Sequence, residues 1–155
     1  SDNPTWEIPS NRTKNGRPHL VPLSLQVLAI IKERPMIGQE GYLFTTTGKT
    51  ALSGFSKAKE RIDAWLDDKR IRTNSVPMPE WTLHDLRSTM VTMMNEKLGI
   101  PPHVVEACVN HISGSAKAGV AGVYNKAVYM KERREAYNAW EKYLQRLAGE
   151  KTAEL

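Results

Sequence analysis

The sequence holds a single cysteine, Cys108, which excludes any disulfide framework within the chain and points to a reducing compartment. No run of apolar residues approaches the length needed to cross a bilayer, and no secretory signal is visible. The glycines are scattered, and no Walker-type loop is present, so nucleotide hydrolysis lacks its phosphate cradle. The four histidines do not stand with cysteines or acids at zinc-ligand spacing. Ser113-Gly114 does not sit in a nucleophile elbow. There is no internal repeat and no low-complexity tract.

What is present is an ordinary globular composition with a basic excess. One hundred and fifty-five residues, 40% hydrophobic and 25% charged, suffice for one domain with a real core. Twenty-two Lys and Arg stand against 17 Asp and Glu, a net charge of +5 that favours an anionic partner without naming it.

Trp6-Glu7-Ile8 alternates as a short strand, and His19-Leu20-Val21-Pro22 reads as its return, with Pro22 at an end or edge. Between them Asn15-Gly16 is a strong hairpin signal, crowded by Arg12, Lys14 and Arg17. Such a basic tip is either a solvated turn or a finger towards a polyanion. Ser24 predicts a capped helix to about Glu33, with Leu25, Leu28 and Ile31 inward, closed by Pro35. Tyr42-Leu43-Phe44 fits a buried strand or an extended linker. Ser53 is a candidate cap for a second helix with Phe55, Ile62, Trp65 and Leu66 as its apolar stripe and Lys57, Lys59 and Arg61 on its other faces. Residues 67–79 read as a loop.

The central stretch is Trp81 to Asn95. Thr82 and Asp85 make a variant capping box, and Leu86, Met90, Met93 and Met94 form a stripe at three- and four-residue steps. His84 and Arg87 then lie one turn apart on the same face, two donors that suit an oxyanion or a phosphate. Gly99 and Pro101-Pro102 end this helix, and a short one from His103 to about Asn110 packs Val104, Ala107 and Cys108. His111 follows, then a stretch of small residues with a possible helical turn over Val120 to Tyr124. The longest helix, Val128 to Leu147, has Ala136, Tyr137, Trp140, Tyr143, Leu144 and Leu147 as its seam.

His84-Asp85-Leu86-Arg87-Ser88-Thr89, then Val109-Asn110-His111, then Gly122-Val123-Tyr124-Asn125 resembles the catalytic domain of tyrosine recombinases, the phage-integrase family. The hairpin Thr13-Lys14-Asn15-Gly16, with His19 to Ser24 after it, looks like the lysine-bearing hairpin of that family. The order Lys, His-x-x-Arg, His, Tyr is the family's order, and the likeness runs from about Trp6 to Leu147, nearest to prophage integrases. The resemblance implies an α+β, predominantly α-helical, integrase-type catalytic core with a small N-terminal β-hairpin sheet. It implies a site-specific recombinase that cleaves and rejoins DNA through a 3′-phosphotyrosine, with no metal, ATP or other cofactor.

In that assignment Tyr124 is the nucleophile. Arg87 holds the non-bridging oxygens, His84 and His111 donate to the same phosphate or move the tyrosine proton, and Lys14 protonates the departing 5′-oxygen. Tyr129 is the rival nucleophile, Tyr137 and Tyr143 belong to the seam, and His19 and His103 are structural or surface residues. Arg12, Arg17, Lys57 and Lys59 are the candidate DNA contacts. The partners implied are double-stranded DNA at attachment sites and further recombinase protomers, four on the DNA; the location implied is the bacterial cytoplasm, at the nucleoid.

Two features depart from the pattern. The family carries another catalytic arginine on a helix upstream of the hairpin, and nothing before Trp6 supplies it. The segment from His111 to Tyr124 is also longer than in many relatives, which admits delivery of the tyrosine in cis or in trans. The chain therefore reads as a truncated catalytic domain over 1–149 with a flexible tail over 150–155, expected to be inactive alone. The alternatives are a non-catalytic DNA-binding module on the same fold and a type IB topoisomerase-like enzyme.

Overall fold

Residues 3–38, 41–111 and 129–152 are described by a computed structural model of the chain. Two compact units divide them, one of Ser1–Ile30 with Leu83–Leu155 and one of Ile31–Thr82. The first unit contains the hairpin strands β1 (Thr5–Ile8) and β2 (His19–Pro22) and the helices α1 (Leu25–Lys32, whose last two residues belong to the other unit), α3 (Leu83–Glu96), α4 (Pro102–Cys108) and α5 (Met130–Thr152). The second contains α2 (Phe55–Arg72). Mostly helical, with one two-stranded antiparallel sheet, this is the α+β class that the sequence predicts.

The core of the first unit forms where α3, α4 and α5 pack on one another. Val104, Cys108 and Ala136 are buried together, with Ile100 and Tyr137 against them, and Met94, Val105 and Val109 are buried as well. Ala136 leaves room on α5 for the branched side chains of α4. Gly99, at φ +63°, turns the chain so that the Ile100 amide returns to the Met94 carbonyl at 2.9 Å. Pro102 then starts α4 where its missing N–H costs nothing. At the other edge the buried Ser24 begins α1, and its Oγ accepts the Val27 amide at 3.5 Å. Glu141 of α5 accepts the neighbouring Gln26 amide at 3.0 Å, which satisfies a second orphan donor of that helix start.

Several expectations are corrected. Strand register pairs Ile8 with His19, so residues 9–18 form a longer loop instead of a two-residue Asn-Gly turn. A 3-10 turn over Ser10–Arg12 opens it, and a tight turn closed by Gly16 N–H on Thr13 O at 3.2 Å puts Lys14 and Asn15 at its apex. Leu25 is 79% exposed and Leu86 is 57% exposed, so neither is an inward residue. The buried face of α3 is confined to its C-terminal half, where α4 folds back on it.

In the second unit the cap of α2 is Gly54, at φ +80°, and Ser53 makes no cap bond. Glycine adopts that conformation without penalty, and its carbonyl accepts the Ala58 amide. The helix also continues to Arg72, through residues read as loop. No proline or glycine interrupts 67–72, and cations in its last turn suit the helix dipole. The Asp68–Arg72 pair at 2.8 Å is exposed and adds only a few tenths of a kcal/mol. The real stop is Asn74, at φ +50°, after which the Ser75 amide closes on Arg70 O. Phe55, Ile62 and Trp65 stay exposed, whereas Leu66 of the same stripe lines a cavity with Met78, Pro79 and Trp81. Tyr42-Leu43-Phe44 is loop, held by Leu52 N–H on Phe44 O at 2.8 Å.

Candidate active site

The last carbonyls of α4 organise the site. A helix end leaves these groups without intrahelical partners. Two of them are closed locally: Asn110 N–H reaches Ala107 O at 3.3 Å and His111 N–H reaches Glu106 O at 2.9 Å. This is a Schellman closure, with Asn110 at φ +53° in the place that glycine usually takes. The remaining carbonyls are taken by side chains from four other segments. Cys108 O accepts His19 Nε2 of β2 at 3.1 Å and the Tyr137 hydroxyl of α5 at 2.7 Å. Val109 O accepts Nη2 of Arg87 from α3, and Asn110 O accepts Nδ2 of Asn15 from the hairpin loop at 2.9 Å.

Three of the predicted catalytic residues thus meet around one helix end. Arg87 is bonded to the carbonyl two residues before His111, and Lys14 adjoins the Asn15 that grips the residue before His111. His111 is exposed, with Nδ1 3.7 Å from Glu106 Oε1. Lys14 is exposed and its ammonium has no hydrogen-bond or ion-pair partner among the described residues. Arg87 spends one N–H on Val109, and its other donors make no bond among the described residues. His84 lies one turn before Arg87 and is exposed, without a side-chain bond tying it to α4. Tyr124 and the turn expected around it lie outside the described residues.

The candidate DNA contacts divide in two. Arg12 is exposed in the 3-10 turn of the hairpin loop and Arg17 is half-buried in the same loop. Lys57 is exposed on α2, but Lys59 is engaged, 2.6 Å from Asp63 and 4.8 Å over the Trp81 ring, whose Nε1 donates to Asp63 at 2.9 Å.

Beneath the site lies a cation that the sequence reading missed. Arg133 is 2% exposed and donates to Leu20 O, with Nη2 3.4 Å from His19 Nδ1 and Nη1 3.6 Å from Met130 Sδ. One signal was available: Arg133 stands three and four residues before Ala136 and Tyr137, on the apolar seam of α5. The guanidinium fixes the tautomer of His19. Nδ1 must accept from Arg133, so the proton sits on Nε2 and is donated to Cys108 O. Burial first, then the charge of Arg133 and more weakly that of Arg87, hold the His19 pKa below its usual value; the bond to Cys108 opposes them. Burial likewise pushes the Cys108 thiol and the Tyr137 phenol up, so Tyr137 is a neutral donor.

A pH dependence follows. The unfolded chain takes up a proton at the ordinary histidine pKa, whereas the folded chain resists until lower pH. The stability from neutral His19 is therefore full above about pH 6.5 and is lost as pH falls below it. His19→Gln keeps a donor for Cys108 O and an acceptor for Arg133 but cannot titrate. Thermal melts between about pH 7.5 and 5 should show a shallower loss of Tm in this variant than in the unaltered chain. Equal slopes would refute the assignment.

Comparison with known proteins gives the family of the chain. The model of the phage integrase family matches residues 1–131. The chain belongs to that family. Its relatives include two prophage integrases of Escherichia coli K12: IntA, 34% identical over 136 residues, and IntZ, 32% identical over 136 residues. The alignments cover 87% and 84% of this chain but only 30% and 29% of those integrases, so the chain spans about a third of their length. No solved structure matches it. Among the described residues of this family member no acid, histidine or cysteine cluster could hold a metal, and no helix is long and apolar enough to cross a membrane.

Proposed function

We propose that this chain is the catalytic part of a site-specific DNA recombinase that breaks and rejoins strands through a 3′-phosphotyrosine. The observation that carries the reading is the convergence of Arg87, His111 and the Lys14 loop on the end of α4, in a member of the phage integrase family. The phenol oxygen of Tyr124 attacks phosphorus, the phosphorus–O5′ bond breaks, and the bond energy stays in the phosphotyrosyl link. Arg87 stabilises the charge that builds on the non-bridging oxygens, as a planar fork that stays protonated. His84 and His111 donate to the same oxygens or take the phenol proton, and Lys14 gives a proton to the leaving 5′-oxygen. Religation to another 5′-hydroxyl reverses the step and needs no ATP. Duplex DNA at an attachment site is the substrate in this reading, with four protomers on the DNA.

The test is a nicked suicide duplex, on which a recombinase accumulates a covalent, protease-sensitive protein–DNA adduct. An adduct that fails to form with the complete gene product under any DNA-binding condition, while duplex is still bound, would reduce the protein to a DNA-binding module.

Binding itself should be electrostatic. Arg12, Lys14 and Arg17 crowd one loop, and a few phosphate contacts of this kind give an affinity that falls roughly ten- to a hundredfold between about 50 and 200 mM salt. The 155-residue chain should therefore bind labelled duplex weakly, with little sequence preference and with that slope. Binding insensitive to salt would contradict the phosphate-contact assignment.

A further inference from the structure

The loop that carries Lys14 is fastened to the end of α4 by the side chains of Asn15 and Asn110. Asn15 Nδ2 donates to Asn110 O at 2.9 Å, and Asn110 Nδ2 donates back to Asn15 Oδ1 at 3.4 Å. The same Oδ1 accepts the Arg17 amide at 3.0 Å, so Asn15 secures its own turn while it grips the helix end. Thr13 Oγ1 braces the base of that turn on Arg17 O at 2.7 Å. On the other side, the left-handed conformation of Asn110 turns both its carbonyl and its side-chain amide to one partner. One residue before Asn15 is Lys14, and one residue after Asn110 is His111.

A lysine on an unfastened hairpin carries its ammonium through a wide volume, because four rotatable side-chain bonds add to the motion of the loop. Fixing the base of the side chain next to a phosphate site removes most of that search, and orientation of this kind is a large part of catalytic rate. We propose that Asn15 and Asn110 are positioning residues, a latch that holds the Lys14 ammonium within reach of the oxygen leaving the phosphate bound by Arg87 and His111. The inference rests on the recombinase reading. Lys14 donates its proton to O5′ as the phosphorus–oxygen bond breaks, and regains one from solvent.

The experiment uses the complete gene product and suicide duplexes whose leaving atom is either oxygen or sulfur. Sulfur departs without a proton, so a fault in proton delivery is felt with oxygen alone. Asn15→Ala, which removes both cross-loop bonds, should slow adduct formation with oxygen by about tenfold or more, yet stay within about threefold of the unaltered protein with sulfur. Asn110→Gly, which keeps the left-handed turn and the carbonyl but loses the weaker bond, should show the same pattern at smaller size. Lys14→Ala should show it at greater size. As a second measurement, native-state trypsin should nick after Arg12 or Lys14 several-fold faster in Asn15→Ala, because a released loop is a better substrate; the Arg17–Pro18 bond resists trypsin in either protein. Equal slowing with oxygen and sulfur, or unchanged rates with both, overturns the latch. If the unaltered protein forms no adduct on either duplex, the recombinase reading fails; the trypsin comparison then decides the latch, faster nicking upholding the fastening and unchanged nicking overturning it.

Discussion

Tyr124→Phe is expected to abolish covalent protein–DNA adducts in the complete gene product while leaving folding and duplex binding nearly unchanged. In the proposed mechanism the hydroxyl is the attacking group, so its removal deletes the reaction and does not merely slow it. The ring keeps its apolar surface, and the change in stability should stay within about 0.5 kcal/mol. The control is Tyr129→Phe. The Tyr129 ring stands edge-on to His103 at 4.9 Å between centroids, and its carbonyl accepts the Arg133 amide at 2.8 Å. These contacts give Tyr129 a packing role at the start of α5, which phenylalanine retains. Adduct formation should therefore persist in Tyr129→Phe. The reverse result, adducts in Tyr124→Phe and none in Tyr129→Phe, would move the nucleophile by five positions.

The parts of this molecule that were legible beforehand are those that short-range pattern determines. The strands at Trp6-Glu7-Ile8 and His19 to Pro22, the helix after Trp81, the break at Pro101-Pro102 and the long last helix all announce themselves by period, proline and glycine. Ends that depend on left-handed residues other than glycine were not legible: Asn74 and Asn110 each stop a helix at positive φ, and asparagine does this only some of the time. Burial was also overestimated. A stripe such as Phe55, Ile62, Trp65 and Leu66 promises a covered face, but whether a partner surface exists is a property of the rest of the fold. The order of Lys14, His84, Arg87 and His111 could be read in the sequence. What could not be read was that the end of α4 gathers three of them, because the gathering is done by backbone carbonyls, which carry no residue identity. Arg133 was hidden for a related reason: a cation on an apolar seam passes for a solvated edge until a carbonyl, a neutral imidazole and a thioether are found around it.

The strongest constraint on mechanism concerns Arg87. Its Nη2 is committed to Val109 O, and in the proposed mechanism a phosphate is met by the donors that remain. A guanidinium can serve both, since its five N–H groups point in fixed and different directions. Arg87→Lys keeps the charge but offers a single ammonium on a shorter fork-less stem. That ammonium either reaches the carbonyl and abandons the phosphate geometry, or reaches the phosphate and leaves Val109 O unpaired. Adduct formation should consequently fall by about a hundredfold or more in Arg87→Lys, close to the loss in Arg87→Ala, because losing one preorganised oxyanion donor has that size of effect. Stability should separate the two functions of the side chain. A charged hydrogen bond to a carbonyl contributes about 1.5 to 3 kcal/mol at most, and partial exposure places this one at or below the lower end. Tm should therefore drop by only a few degrees in either variant, and duplex binding at low salt should survive in Arg87→Lys better than in Arg87→Ala. Measuring adduct rate, Tm and duplex affinity on the same three proteins tests the assignment. Near-normal adduct formation by Arg87→Lys would mean that charge alone suffices, and that the Val109 bond does not aim this arginine at a phosphate.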